Sequence, residues 1–179
     1  GDDTLIGNGG DDFLYGGRGG DQMDGGAGFD TISYSDAAAA VTVSLQNWTL
    51  NTGEAAGDTY VSIEAVEGSA FNDTITGYTY VANQLYGGDG DDKLYGGVLA
   101  DILVGGKGAD FMDGGAGVDI ASYITSTAGV VADMLTTAGT SGDAAGDTYA
   151  RTAPRELHEE IGLCAPLHFV TKLPASIDL

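Results

Sequence analysis

The stretch "GGRGGDQMDGGAGFDTIS" (16–33) consists of two nine-residue units with the same skeleton. Each unit opens with two glycines and carries an aspartate at its sixth position and an apolar residue at its eighth. The spacing of nine continues on both sides and returns later in the chain, where Asp73 precedes the second run and Asn83 fills the aspartate place of a degraded unit, 77–86. The aspartates at the sixth position are Asp3, Asp12, Asp21, Asp30, Asp92, Asp101, Asp110 and Asp119.

The apolar position keeps the same phase. It lies two residues after each aspartate position and is occupied by Leu5, Leu14, Met23, Ile32, Ile75, Leu85, Leu94, Leu103, Met112 and Ala121. The pattern predicts a six-residue turn, G-G-x-G-x-D, followed by a strand of three residues. Such a unit is too small to stand alone, so its neighbours must stack on it. We predict an all-β parallel solenoid with two units in each coil, which places aspartates of the same side 18 residues apart.

The composition limits the possible partners. The chain has 27 acidic and 6 basic residues, a formal net charge of −21, which argues against binding nucleic acid or anionic membrane and suits cations. No apolar run approaches the roughly 20 residues of a membrane span. The only cysteine is Cys164, so the fold does not depend on disulfides. Because residue 1 is Gly1 and falls inside a repeat, we expect an upstream domain of the same polypeptide.

Stacked coils lie about 4.8 Å apart and bring carboxylates of one side close together. A cation between them resolves this repulsion, and Ca²⁺ takes six to eight oxygen ligands from carboxylates and backbone carbonyls. We therefore predict several Ca²⁺ ions held by the aspartates and by the backbone of the turn glycines. These glycines are Gly7, Gly9, Gly16, Gly17, Gly19, Gly25, Gly26, Gly28, Gly87, Gly88, Gly90, Gly96, Gly97, Gly105, Gly106, Gly108, Gly114, Gly115 and Gly117.

These units resemble the RTX, or hemolysin-type, calcium-binding repeat. The resemblance implies a right-handed parallel β-roll with Ca²⁺ in its turns, exported to the extracellular space through a type I secretion apparatus and folding there on calcium. It also implies metal-binding pairs on the same side of the roll, with Asn83 as a neutral partner of Asp101. The carboxylate pairs are Asp3 with Asp21, Asp12 with Asp30, Asp73 with Asp92, Asp92 with Asp110, and Asp101 with Asp119. Asp11 and Asp91, which precede sixth-position aspartates, are interpreted as only adding negative electrostatic potential around the turns.

Two segments interrupt the nonamers and repeat each other at an offset of 89 residues. "GGAGFDTISY" (25–34) matches "GGAGVDIASY" (114–123), and "GEAAGDTY" (53–60) matches "GDAAGDTY" (142–149). In the first copy, "VTVSL" (41–45) and "YVSIEAV" (60–66) are typical of strands. We divide the chain into a first repeat block (1–33), a β-rich spacer (34–67), a second block (68–122), a truncated spacer copy (123–149) and an unrelated tail (150–179).

The tail resembles half of a Nudix signature in "RELHEEIGL" (155–163), which implies a short helix with Glu156, Glu159 and Glu160 as Mg²⁺ ligands. The first half of that signature is missing, since Ser141 and Asp147 stand at its Gly and Glu positions. Three interpretations remain: an inert fused fragment, a coincidental acidic helix and a working hydrolase. We interpret the half motif as non-functional.

The sequence of the repeats and of the tail contains no complete catalytic motif of the kinds considered. "HEEIG" (158–162) lacks the second histidine of a zinc protease, and residues 1–149 contain no histidine. The sequence therefore predicts a calcium-binding module, not an enzyme, that supports secretion and stability of a larger secreted protein. The alternatives are a fragment of a secreted protease or lipase whose catalytic domain lies upstream, and a Nudix-type hydrolase.

Overall fold

The structure, a computed structural model, describes residues 1–127, 129, 131–133, 138–150 and 168–170. In these residues the regular elements are short strands and three single-turn 3₁₀ helices, Trp48–Leu50, Gly53–Ala55 and Gly142–Ala144. The strands are β1 (Thr4–Ile6), β2 (Phe13–Leu14), β3 (Gln22–Asp24), β4 (Thr31–Ser33), β5 (Thr42–Ser44), β6 (Thr59–Val61), β7 (Ala65–Glu67), β8 (Thr74–Thr76), β9 (Gln84–Asp89), β10 (Lys93–Gly97), β11 (Ile102–Lys107), β12 (Phe111–Gly115), β13 (Ile120–Ser122), β14 (Val131–Asp133), β15 (Ala138–Ser141), β16 (Thr148–Tyr149) and β17 (His168–Val170).

Most strands stack in parallel, and in the two repeat blocks successive strands alternate between opposite sides of the coil, whereas β14, β15 and β16 lie in one sheet. Strand β1 pairs with β3 and β2 with β4; in the second block β10 pairs with β12 and β11 with β13. Leu94 pairs with Met112, for example, at the expected interval of two repeat units. Antiparallel pairing occurs where β15 joins β14 and β16. The predicted parallel β-roll is confirmed.

The apolar positions of the repeat fill the space between the two sides of the roll. Ile32, Ile75, Leu85, Leu94 and Leu103 are completely buried. Burying a side chain of this size contributes roughly 1.5–3 kcal/mol, so the column of apolar residues is a main source of stability. Leu5, in the first strand, is only partly buried, because no earlier coil of the described chain covers it.

The spacer continues the stack through longer coils. Strand β5 pairs with β8, β6 with β3, and β7 with both β4 and β9. The stretch 60–66 does not form the single strand that its composition suggested. Ser62 adopts a left-handed conformation with φ of 51° and divides the stretch into β6 and β7, which belong to different sheets.

The tail is described only at β17, which adds to the roll beside β13, with Phe169 opposite Ala121. The predicted tail helix, with Glu156, Glu159 and Glu160, lies outside the described residues. Among the residues that the structure describes, no helix has the length and apolar character needed to span a bilayer.

Candidate functional site

The turns of the roll are built on backbone that glycine adopts readily. In 105–110, the second and fourth residues, Gly106 and Gly108, have φ of 104° and 138°. A side chain at either residue would also overlap the carbonyl oxygen of the neighbouring coil. We call a turn complete when its second and fourth residues both have positive φ. The complete turns are 7–12, 16–21, 25–30, 87–92, 105–110 and 114–119.

The first complete turn differs in detail from the prediction. Asn8 and Gly10 supply its positive φ values of 73° and 107°, whereas the predicted turn glycines, Gly7 and Gly9, do not have positive φ. The turn 96–101 is incomplete, because Leu99 replaces the fourth glycine and Gly97 does not have positive φ.

From Asp21 onward, one carboxylate oxygen of each sixth-position aspartate accepts an amide of the preceding coil and so links two coils. The amide of Asp92 donates to Oδ1 of Asp110 at 2.9 Å, and the amide of Asp73 donates to Oδ1 of Asp92 at 2.8 Å. We call this chain of bonds the inner ladder. The structure brings together all six predicted pairs through such bonds, including Asp3 with Asp21, Asp12 with Asp30, Asp101 with Asp119, and Asn83 with Asp101.

The other carboxylate oxygen distinguishes complete from incomplete turns. In five of the six complete turns it is buried without a hydrogen-bond partner, namely Oδ2 of Asp12, Asp21, Asp30, Asp92 and Asp110; Asp119, in the turn 114–119, is the exception. In incomplete turns the protein itself supplies a donor: Gly97 N donates to Oδ2 of Asp101 at 2.7 Å, and Ser69 donates to Oδ2 of Asp73. A buried carboxylate oxygen without a partner is energetically costly. These oxygens therefore call for a positively charged ligand.

At Asp12, Asp30 and Asp92, a second oxygen converges on the same space as the unpartnered Oδ2. A Cβ placed on Gly87 would overlap Oδ2 of Asp92 and lie 2.5 Å from the carbonyl oxygen of Gly105 in the next coil. The first glycine of the turn therefore leaves open a space bounded by a carboxylate oxygen and a carbonyl oxygen from different coils. Hard oxygen donors of these two kinds are the ligands that Ca²⁺ prefers, so the residues present fit the ion.

Burial dominates the electrostatics of these carboxylates. Burial, helped by the charges of Asp110, Asp73 and Asp91, raises the pKa of Asp92 to about 7 in spite of the hydrogen bond from the amide of Asp73, which lowers it. The pKa of Asp110 is also raised to about 7, again mainly by burial. We had expected repulsion between neighbouring carboxylates to be the main cost. Repulsion is secondary, because burial and the hydrogen bond from the amide of Asp73 both change the pKa of Asp92 more than any one neighbouring charge does.

The fifth position of the turn forms a second set of links, the outer ladder. Asp91 accepts the amide of Ala109 in the next coil at 2.9 Å, and Asp11 accepts the amide of Phe29 at 2.9 Å. These bonds run in the opposite direction to those of the inner ladder. Asp11 and Asp91 therefore connect coils, which the sequence interpretation of a purely electrostatic contribution missed.

Three further members of the inner ladder lie in the spacers and were not predicted. Asp58 accepts the amide of Asp21, Glu64 accepts the amide of Asp30 at 3.0 Å, and Asp147 accepts the amide of Asp110. They stand 34 or 37 residues after their partners, which hides them from a search at intervals of nine. The available signal was the shared "AAGDTY" of the two spacer copies.

In the described part of the chain, no three acidic, histidine or cysteine side chains converge on one point. The oxygens that converge are one carboxylate and one carbonyl from adjacent coils. Stacked parallel strands, glycine turns and buried carboxylate oxygens of this kind define a metal-binding β-roll.

The comparison with protein families agrees with this class. Four segments match the family model described as the RTX calcium-binding nonapeptide repeat, namely residues 1–32, 63–79, 82–101 and 95–121. The chain therefore belongs to the RTX repeat family and is a calcium-binding β-roll module. No match to the chain was found among curated proteins.

Proposed function

We propose that this module folds on binding extracellular Ca²⁺ and thereby supports the secretion and stability of a larger secreted protein. The supporting observation is the set of unpartnered, buried Oδ2 atoms in five of the six complete turns. Each of these oxygens lies beside a space that the first glycine leaves open. The residues that would hold the ions are therefore Asp12, Asp21, Asp30, Asp92 and Asp110, together with carbonyl oxygens of the neighbouring turns.

Charge explains why the ion and the fold are coupled. With a formal net charge of −21, the calcium-free chain repels itself and stays expanded. The ion supplies the positive charge that the buried carboxylates lack, so the free energy of binding becomes free energy of folding. Extracellular calcium modules bind at about 10⁻⁴ to 10⁻³ M. Affinity in this range would keep the chain unfolded in a low-calcium cytosol and fold it after export through a type I apparatus.

The test is circular dichroism of the full chain with chelator and with millimolar Ca²⁺ or Mg²⁺. We expect a large gain of strand signal with Ca²⁺ and little with Mg²⁺, since Mg²⁺ requires a smaller octahedral site and gives up its water reluctantly. The same strand signal in chelator and in calcium would refute the proposal, as would equal responses to the two ions.

A further inference from the structure

Asp58 and Asp147 hold the same place in the inner ladder as the aspartates of the complete turns. Oδ1 of Asp58 accepts the amide of Asp21 at 2.8 Å, and Oδ1 of Asp147 accepts the amide of Asp110 at 2.9 Å. Both carboxylates are completely buried. Each therefore presents its second oxygen where the complete turns leave Oδ2 without a partner.

In the first spacer a buried tyrosine fills that role. The hydroxyl of Tyr34 donates to Oδ2 of Asp58 at 2.6 Å and lies 2.7 Å from the hydroxyl of Tyr60. A hydroxyl carries one proton, so Tyr60 must donate to Tyr34. Asn51 Nδ2 donates in turn to the hydroxyl of Tyr60 at 2.9 Å. The donors form one directed chain, from Asn51 through the two tyrosines to the carboxylate.

The second spacer copy repeats the arrangement. Tyr123 donates to Oδ2 of Asp147 at 2.6 Å, and its hydroxyl also contacts the hydroxyl of Tyr149. Burial raises the pKa of Tyr123 well above its ordinary value and that of Tyr149 to about 12. Both hydroxyls therefore keep their protons at neutral pH. A tyrosine hydroxyl therefore donates to the second oxygen of a ladder aspartate at two places in the molecule, 89 residues apart.

We propose that Asp58 and Asp147 close the inner ladder without a metal ion, because the hydroxyls of Tyr34 and Tyr123 occupy the place that Ca²⁺ takes in the complete turns. This inference rests on the proposed calcium binding by the complete turns. Tyr34 is 3 % exposed and Tyr123 is 2 % exposed, so an ion at these oxygens would have to displace a buried ring. The two tyrosine–aspartate pairs thus set the ends of the two runs of calcium sites that contain Asp21 and Asp110.

The test compares Asp21→Asn with Asp58→Asn, two neighbours in one ladder. Asparagine keeps Oδ1 for the amide of the adjacent coil and removes the negative charge, so the two variants are matched. The number of Ca²⁺ ions bound per full chain is measured by equilibrium dialysis. We expect Asp21→Asn to lose at least one ion and Asp58→Asn to bind as many as the unaltered chain.

The outcomes separate the two proposals. Loss of an ion from Asp58→Asn, with normal binding by the unaltered chain, overturns this inference and leaves the calcium function standing. Absence of binding by the unaltered chain overturns both. If Asp58→Asn fails to fold, Asp147→Asn and Asp110→Asn provide the same comparison in the second block.

A second measurement addresses the hydroxyl itself. At saturating calcium we expect Tyr34→Phe to lower the thermal midpoint by several degrees without reducing the number of bound ions, because Oδ2 of Asp58 loses its donor and the hydroxyl of Tyr60 loses its acceptor. Adding Asp58→Asn to Tyr34→Phe should cost less than the sum of the two single changes, since both remove the same bond. Additive losses would show that the hydroxyl does not act through Asp58.

Discussion

Two turns on opposite sides of the second block, 96–101 and 105–110, show what leaves a buried carboxylate oxygen without a partner. Asp101 and Asp110 are equally buried, and one oxygen of each joins the inner ladder through a backbone amide. In the incomplete turn, the amide of Gly97 folds onto the second oxygen of Asp101. In the complete turn, two glycines with positive φ direct the backbone elsewhere, and Oδ2 of Asp110 has no partner. In the proposed calcium sites the aspartate alone is therefore not sufficient, because the turn must also leave the second carboxylate oxygen without a donor.

The largest expected effect is on the complete turn itself. In Gly108→Ala, the methyl group would overlap the carbonyl of Gly90 in the adjacent coil, and φ of 138° would be strained. We expect a loss of about 2–6 kcal/mol in the free energy of unfolding at saturating calcium, measured by denaturant titration. Gly10→Ala is the control, since Gly10 has φ of 107° but a Cβ there would meet no atom within 4 Å. Equal losses at both positions would mean that close stacking of the turns is unimportant.

The next prediction concerns the aspartates of the two compared turns. Asp110→Asn should weaken calcium binding or lose an ion, because the unpartnered oxygen loses its charge. Asp101→Asn should bind calcium nearly as well as the unaltered chain, because the amide of Gly97 already satisfies that oxygen. Isothermal titration calorimetry of the two variants measures their calcium affinity and the number of ions that they bind. Similar losses in both would erase the distinction between complete and incomplete turns.

A gain of binding would sharpen the comparison further. Leu99 occupies the fourth position of the incomplete turn and is 45 % exposed, so little packing depends on it. Leu99→Gly should allow this turn to adopt positive φ, free Oδ2 of Asp101 and add one calcium ion. Leu99→Ala is the control, since it removes the same bulk without granting the backbone freedom. An unchanged ion count in Leu99→Gly would show that the fourth glycine is not sufficient.

A smaller effect is expected from pH in the absence of calcium. The pKa values of Asp92 and Asp110 rise from 3.8 in the unfolded chain to about 7 in the fold. Their contribution to stability is present below the unfolded value and is lost as pH rises towards 7. In chelator, strand signal should therefore be higher at acidic than at neutral pH. The double variant Asp92→Asn/Asp110→Asn should flatten this dependence; an unaltered slope would assign it to other groups.

The smallest effect is expected in the outer ladder. Asp91→Asn keeps Oδ1 as the acceptor for the amide of Ala109, so stability at saturating calcium should change by less than about 0.5 kcal/mol. Asp91→Ala removes the acceptor and should cost more. Thermal unfolding of the two variants separates the hydrogen bond from the charge, and equal effects would favour the charge.

The repeat itself was predictable because its period fixes both the coil and the core. In every copy of the pattern the apolar residue lies two residues after the aspartate position, as Leu94 does after Asp92. Their places in the ladder and the core therefore follow from the spacing alone. The fate of the second carboxylate oxygen was harder to predict, since it depends on whether the turn can offer a donor. The sequence held a partial signal, Leu99 in place of a glycine, that acquires its meaning only from the turn geometry.

The spacers were the least predictable part. Asp58 and Glu64 enter the ladder from coils of 37 and 34 residues, where no short period indicates the register. Their hydrogen bonds form between residues far apart in sequence, and the left-handed Ser62 that separates β6 from β7 has no glycine to mark it.

The inner ladder joins residues 18, 19, 32, 34 and 37 positions apart through the same kind of amide-to-carboxylate bond. The rise of the roll is therefore set where coils touch, while the girth of a coil is free to vary. Residues inserted into one coil would therefore protrude from the side of the roll and would not change its length along the axis. Foreign peptides grafted near Trp48–Leu50 should accordingly be displayed beside the stack without shifting the layers above and below.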